Sequence, residues 1–193
     1  MSDLLIRVIP LAAQPAMPWA NGGGSTRQVA IDPADGSLDR GFRWRVSCAQ
    51  VERDGPFSKL AGVDRSLWLV RGAGMRLWIA GRMLTLDRAF QRVDFRGEDD
   101  VRAELLNGTC QDCNVMCRRG EVVAESMCVS LAVDEAQAFE CERQALVLVL
   151  AGSLRIMDPS IRLETGDAAA WEGSGRIECV GAAPTTALIA RFR

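Results

Sequence analysis

The fold this sequence predicts is all-β, built as two similar barrels. Three observations carry that expectation: apolar and polar residues alternate over short runs, two glycine-centred segments resemble each other, and helical periodicity is scarce. With 193 residues, 48% of them hydrophobic, the chain suffices for one large domain or two small, tightly joined ones.

In Phe42–Cys48 the apolar Phe42, Trp44, Val46 and Cys48 alternate with Arg43, Arg45 and Ser47, the period of a half-buried strand. Arg45 and Ser47 therefore share a face. If the aromatic side packs against a second sheet, their side lines a cavity. Next, Ser66–Val70 and Met75–Ala80 read as strands joined by a hairpin at Arg71-Gly72-Ala73-Gly74. Ala145–Leu150 and Leu154–Met157 repeat the arrangement across Ala151-Gly152-Ser153. SLWLVRGAGMRLWI resembles ALVLVLAGSLRIM, and Arg76 and Arg155 follow equivalent glycines, Gly72 and Gly152, about 80 residues apart. A repeat on that scale in a β-rich chain suggests a duplicated barrel or sandwich. Leu163–Asp167 looks like a turn entering a further strand, and Val133–Phe139 and Arg88–Arg92 are the short helical candidates. No low-complexity linker interrupts the chain. The expectation is a single unit over residues 1–193, with approximate halves 1–108 and 109–193.

Composition excludes several chemistries. There is no histidine and no tyrosine, so histidine serves neither as general base nor as metal ligand. A Ser-His-Asp triad and a two-His-one-carboxylate iron site are impossible. A net charge of −2 gives no case for nucleic acid, although it conceals 22 arginines beside one lysine, Lys59. Arginine offers a planar fork to carboxylate or phosphate, so an arginine inside a barrel is a candidate ligand contact. The longest apolar run, Ala145–Ala151, is too short to span a bilayer as a helix. Met1–Pro10 lacks a basic region followed by a long apolar one, so neither a signal peptide nor a membrane is expected. Seven cysteines, an odd count, then read as reduced thiols in the cytoplasm, and the sequon Asn107-Gly108-Thr109 has no meaning for glycosylation.

Three segments carry polar groups that packing alone does not ask for. The first is Met17–Thr26, MPWANGGGST, whose three glycines weaken any regular element while Trp19, Asn21, Ser25 and Thr26 offer an aromatic face and hydrogen bonds. By itself it reads as a turn. The second is Asp54-Gly55-Pro56-Phe57-Ser58 with Gly62-Val63-Asp64-Arg65; its glycine and proline pairs are turn chemistry, Asp64 and Arg65 suit a structural ion pair, and Arg65 suits a ligand equally. The third is Asp112–Gly120, where Asp112 and Asn114 either cap a turn or offer a carboxylate and an amide to a ligand. Cys110, Cys113 and Cys117, with Cys128 as a fourth thiolate, have spacings short enough for zinc, but a second knuckle is missing and free buried thiols are expected. No P-loop and no serine elbow is present.

The barrel hairpins with Gly166-Asp167 resemble the cupin pattern, a small jelly-roll barrel, without the histidines of the usual metal site. MPWANGGGST, RWRVSCAQVERDGPFSKLAGVDR (Arg43–Arg65) and DCNVMCRRG (Asp112–Gly120) come in the order and spacing of the HutD/Ves family. The resemblance covers about Met17–Gly120 by motif. It implies a bicupin, two double-stranded β-helix barrels packed together, and an association with histidine utilisation in which such proteins sense or limit pathway flux. The implied ligand is a small acidic metabolite of the urocanate or formyl- or formimino-glutamate class. The ligand-binding residues it points to are Trp19, Asn21, Gly22, Gly23, Thr26, Arg45, Ser47, Arg65, Asp112 and Asn114. No metal, cofactor or catalytic residue is expected. The alternatives are a metal-independent enzyme, an isomerase or hydrolase with Asp54, Asp64 or Asp112 as base, and a purely structural or partner-binding module. Cupin barrels often pair through exposed sheet edges, which leaves a homodimer open.

Overall fold

The structure, a computed structural model, describes residues 4–193. The part of the leader reading that rests on residues 1–3 lies outside them. The chain begins with β1 (Leu5–Ile9) and a single 3-10 turn, Leu11–Ala13. Then come β2 (Ala16–Pro18), β3 (Gly24–Asp32), β4 (Trp44–Val51), β5 (Gly55–Pro56), β6 (Val63–Arg71), β7 (Met75–Ile79), β8 (Arg82–Leu86), β9 (Arg92–Arg96), β10 (Val101–Leu105) and β11 (Cys110–Arg118). The last stretch holds β12 (Ala124–Leu131), β13 (Ala136–Cys141), β14 (Gln144–Ala151), β15 (Ser153–Ile156), β16 (Ile161–Glu164), β17 (Ala168–Glu172), β18 (Gly175–Gly181) and β19 (Thr185–Phe192).

Two compact units emerge, one of Pro15–Val123 and one joining Ala124–Arg193 to the N-terminal segment through Gln14. The first has a six-stranded sheet, β2-β3-β4-β11-β6-β9, and a four-stranded sheet, β5-β10-β7-β8. The second has a five-stranded sheet, β1-β17-β14-β19-β12, and a four-stranded sheet, β13-β18-β15-β16. The connectivity repeats strand for strand: β4-β11-β6-β9 corresponds to β12-β19-β14-β17, and β5-β10-β7-β8 to β13-β18-β15-β16. The expected all-β architecture of two jelly-roll-like units is thus found, and the internal repeat is real at the level of topology.

The two glycine segments read as hairpins are instead corners. β6 and β14 belong to the larger sheets, β7 and β15 to the four-stranded ones, so Arg71–Gly74 and Ala151–Ser153 carry the chain from one sheet to the other. Glycine is needed there because the backbone passes close to a second segment. A Cβ on Gly72 (φ +101°) would lie 2.6 Å from the Thr109 carbonyl oxygen, and one on Gly152 (φ +80°) 2.1 Å from that of Pro184. True hairpins follow each corner, β7–β8 and β15–β16. Arg76 and Arg155 are exposed rather than inside a barrel.

Three further expectations are corrected. Val133–Phe139 and Arg88–Arg92 are not helices: the first runs from a turn into β13, which pairs with β18, and the second is a turn leading into β9. Cross-strand pairing overrides a weak local spacing. The strand expected over Phe42–Cys48 runs Trp44–Val51. Finally, the units divide after Val123 rather than at 108/109, because β11 is bonded between β4 and β6 in the first unit while β1 pairs with β17 in the second.

The interiors differ. In the second unit Leu131, Phe139, Val147, Leu154, Trp171 and Ile189 are among the side chains that fill the space between the sheets. In the first, Val51, Leu67, Leu69, Met75, Leu77 and Val101 belong to the apolar core, and beside this core the interior turns polar.

Candidate functional site

Three adjacent strands of the first unit, β4, β11 and β6, carry the site. Side chains alternate in direction along a strand, so Arg45, Ser47 and Ala49 share a face with Met116, Asn114 and Asp112 of β11 and with Arg65, Leu67 and Leu69 of β6. The antiparallel register sets them in rungs: Arg45–Met116–Arg65, then Ser47–Asn114–Leu67, then Ala49–Asp112–Leu69. Along β11 the rungs pass from cationic through amide to a lone carboxylate among apolar neighbours. A cavity of about 440 Å³ opens over these rungs, lined by Arg45, Ser47 and Ala49 of β4, Asn114 and Met116 of β11 and Arg65 of β6, within the range of small-molecule sites.

Both guanidiniums are buried, Arg45 3% and Arg65 6% exposed. Arg45 donates from Nε to Gln28 Oε1 (3.0 Å) and from Nη1 to Ser47 Oγ (3.1 Å). Arg65 donates from Nη2 and Nε to Asn114 Oδ1 (2.8 and 3.3 Å) and from Nη1 to the Ser58 carbonyl (3.3 Å). Its guanidinium also lies over the rings of Phe95 and Phe57, 4.8 and 5.2 Å from the centroids. Among the described residues neither arginine forms a salt bridge. Burial lowers both pKa values; for Arg65 the fall is to about 10, with Arg45 adding to it and Asp112 opposing it. Two desolvated cations thus face one cavity, an arrangement that favours an anion.

Asp112 lies one rung deeper, fully buried. Its Oδ1 accepts the Asn114 Nδ2–H at 2.7 Å, while among the described residues Oδ2 has no hydrogen-bond partner. Desolvation pushes its pKa up to about 7, against the opposing pull of Arg65 and of the Asn114 bond. It does not line the cavity, which corrects its expected place among the direct contacts.

The segment Met17–Thr26 is the β2–β3 hairpin and forms one wall. Asn21 Oδ1 accepts the Gly23 N–H (2.9 Å), and the Gly22 N–H reaches the Trp19 carbonyl (3.0 Å). A Cβ on Gly24 would stand 2.1 Å from the Gln50 carbonyl oxygen, so the third glycine lets β3 run against β4. The Trp19 indole N–H donates to Thr26 Oγ at 2.7 Å, fixing the ring along the cavity. Trp19, Asn21, Gly23 and Thr26 line it, as do Arg45, Ser47, Arg65 and Asn114. Gly22 does not: it is exposed at φ +66° and serves the turn.

Asp54–Ser58 supplies the opposite rim. β5 pairs with β10, Asp54 Oδ1 accepts the Leu105 N–H (2.8 Å), and the Phe57 N–H bonds to the Val101 carbonyl (2.8 Å). These bonds hold Phe57 and Ser58 towards Arg65. Asp64 is not Arg65's partner, since neighbours on a strand point to opposite faces; it pairs with Arg119 at 2.7 Å. Alternation likewise separates Cys110, on the Asp112 face of β11, from Cys113 and Cys117 on the other, so these thiols do not converge on one ion. The sequence reading missed Gln28, Met116 and Phe95. Met116 was accessible from its spacing two residues beyond Asn114. Gln28 and Phe95 come from strands whose pairing no local pattern announces.

Comparison with known proteins gives a consistent result. The family model described as HutD matches residues 11–189. An uncharacterized 21.2 kDa protein in the hutC 3′ region of Pseudomonas putida is 41% identical over 102 residues, about half (53%) of each chain. Protein Ves of Cronobacter sakazakii is 33% identical over 159 residues, 81% of this chain and 82% of its own. Among solved structures, HutD from Pseudomonas fluorescens SBW25 superposes with a TM-score of 0.84 at 29% identity, covering 98% of this chain and 100% of the other. A conserved protein of unknown function from Pseudomonas aeruginosa PAO1 gives 0.89 at 28% identity, over 97% and 98%. A pirin from Escherichia coli, 12% identical at a TM-score of 0.73 over 96% and 98%, shares the fold alone.

Proposed function

Because the chain belongs to the HutD family, we propose that its first unit binds a small carboxylate metabolite and acts as a non-catalytic regulator linked to histidine utilisation, in the cytoplasm. The observation that carries this reading is the pair of buried guanidiniums, Arg45 and Arg65, facing one cavity without a salt bridge among the described residues. Each can take a ligand carboxylate in a charge-assisted bond worth roughly 1.5–3 kcal/mol net. Two such bonds with burial reach about −8 kcal/mol, micromolar affinity. Trp19 and Phe57 supply flat apolar walls for the ligand's planar part, and Asn21, Thr26, Ser47 and Asn114 the polar contacts. Urocanate and the formyl- and formimino-glutamates have the right charge and size. The relative in the hutC 3′ region of P. putida supports the link to histidine utilisation.

The metal-independent enzyme needs a base at the ligand, and each candidate has other work. Asp112 is sealed beneath Asn114, Asp64 is paired with Arg119, and Asp54 holds a backbone N–H. Thermal-shift measurements with urocanate, N-formylglutamate and formiminoglutamate test the proposal. A ligand at a hundred times its Kd adds about 2.7 kcal/mol, a rise of several degrees. No shift with any of the three would remove the assignment.

A further inference from the structure

We propose that Asp112 couples proton uptake to anion binding, acting on the ligand through Asn114 and Arg65; this rests on the anion-binding reading above. The carboxyl group has no solvent exposure, and its Oδ2 has no hydrogen-bond partner among the described residues. A proton can therefore settle on Oδ2 without displacing any bond. Oδ1 is tied to the Asn114 amide, whose own oxygen accepts two N–H groups from Arg65. Asp112 is thus a positioning residue: it holds the amide that holds the cation.

The groups facing Asp112 define its response. From β6 comes Arg65, whose charge favours the ionised carboxyl, with Leu69 directly opposite. From β4 comes Ala49, with Arg45 further along that strand. On β11 itself stand Asn114 and Cys110. Arg53 and Asp54 line the exposed rim. Burial pushes the Cys110 thiol up to about 12, and Arg65 sits at about 10, so neither titrates between pH 6 and 8. Asp112, at about 7, does.

An anion docked on Arg45 and Arg65 engages the charge that supports ionised Asp112. The carboxyl pKa then rises and the group takes a proton from solvent. The sign follows from linkage. Binding is tightest where Asp112 is protonated in both states, below about pH 7, and weakens as pH rises from the free to the bound pKa. Above the bound value it is level again. The loss is about tenfold for each unit by which binding raises the Asp112 pKa.

Calorimetry of wild type with N-formylglutamate, whose carboxylates do not titrate between pH 6 and 9, tests this in buffers of differing ionisation enthalpy. The expected result is uptake of up to one proton near pH 7 and an affinity that falls with rising pH. Asp112→Asn should bind with no uptake and a flat profile. In wild type, carboxyl 13C NMR should show Asp112 titrating at higher pH with the anion bound, a readout that needs no variant. A flat wild-type profile, an unmoved Asp112 resonance, or a slope that persists in Asp112→Asn overturns the coupling. If N-formylglutamate fails to bind but sulfate binds with the same uptake, the ligand class falls and the coupling stands. If neither anion binds, both fall.

Discussion

Arg45 and Arg65 flank a single residue, Met116, which pairs with Arg45 on one side and with Arg65 on the other. Each guanidinium is anchored by neutral acceptors: Gln28 and Ser47 for Arg45, Asn114 and Ser58 for Arg65. Neutral acceptors fix a guanidinium's direction without cancelling its charge. A carboxylate in those places would have satisfied the arginines and closed the cavity to an anion.

Arg45→Ala and Arg65→Ala should therefore each weaken carboxylate binding by roughly 1.5–3 kcal/mol, about ten- to hundredfold, while the protein stays folded. Arg65→Lys should recover part of the loss, since it keeps the charge but not the fork. Calorimetry with circular dichroism checks this, and unchanged affinity in both alanine variants would refute the assignment.

Stability should depend on pH through Asp112. Its folded pKa, about 7, lies above the ordinary carboxylate value of 3.8. The folded state thus binds the proton more tightly, and ionisation costs stability progressively as pH rises from about 4 to about 7, then no further. Asp112→Asn removes that cost, so its melting temperature should exceed wild type by more at pH 8 than at pH 5. An offset equal at both pH values would refute this account.

Binding should be visible in fluorescence through Trp19, the tryptophan that lines the cavity. A carboxylate ligand should change the emission of wild type and not of Trp19→Phe. The variant loses one indole bond to Thr26, about 0.5–1.5 kcal/mol, so its affinity should fall about tenfold at most. A full signal in Trp19→Phe would place the ligand elsewhere.

The hairpin glycines should separate in denaturant unfolding. Gly22→Ala meets open space and bears only the positive φ, about 1 kcal/mol. Gly24→Ala drives a methyl onto the Gln50 carbonyl oxygen and should cost about 3 kcal/mol or more. Equal costs would contradict the close approach of β3 to β4.

Period-two alternation made much of this legible. It put Arg45 beside Ser47; carried along β11 and β6, the same rule sets Asp112 beside Asn114 and Arg65 apart from Asp64, against the ion pair expected of those two neighbours. What it withheld was depth. Asp112 and Asn114 have the same local pattern and the same flanking strands, yet Asn114 lines the cavity while Asp112 is wholly buried outside it. The corners at Gly72 and Gly152 were misread for a related reason. A positive-φ glycine between two apolar runs marks a reversal in a hairpin and a change of sheet alike, and only the distant partners, Thr109 and Pro184, distinguish them. The division of the chain was hidden too, because β1 pairs with β17 at the far end of the sequence.

That last pairing has a consequence in time. The Leu11 N–H bonds to Asp167 Oδ1, 156 residues away, and β1 is completed only by β17. A ribosome adding 5–20 residues per second needs on the order of ten seconds or more to deliver that partner. Until then β1 is an unpaired edge, open to wrong company, while the whole Pro15–Val123 unit emerges behind it. β1 leaves the ribosome long before the strand that gives it its place.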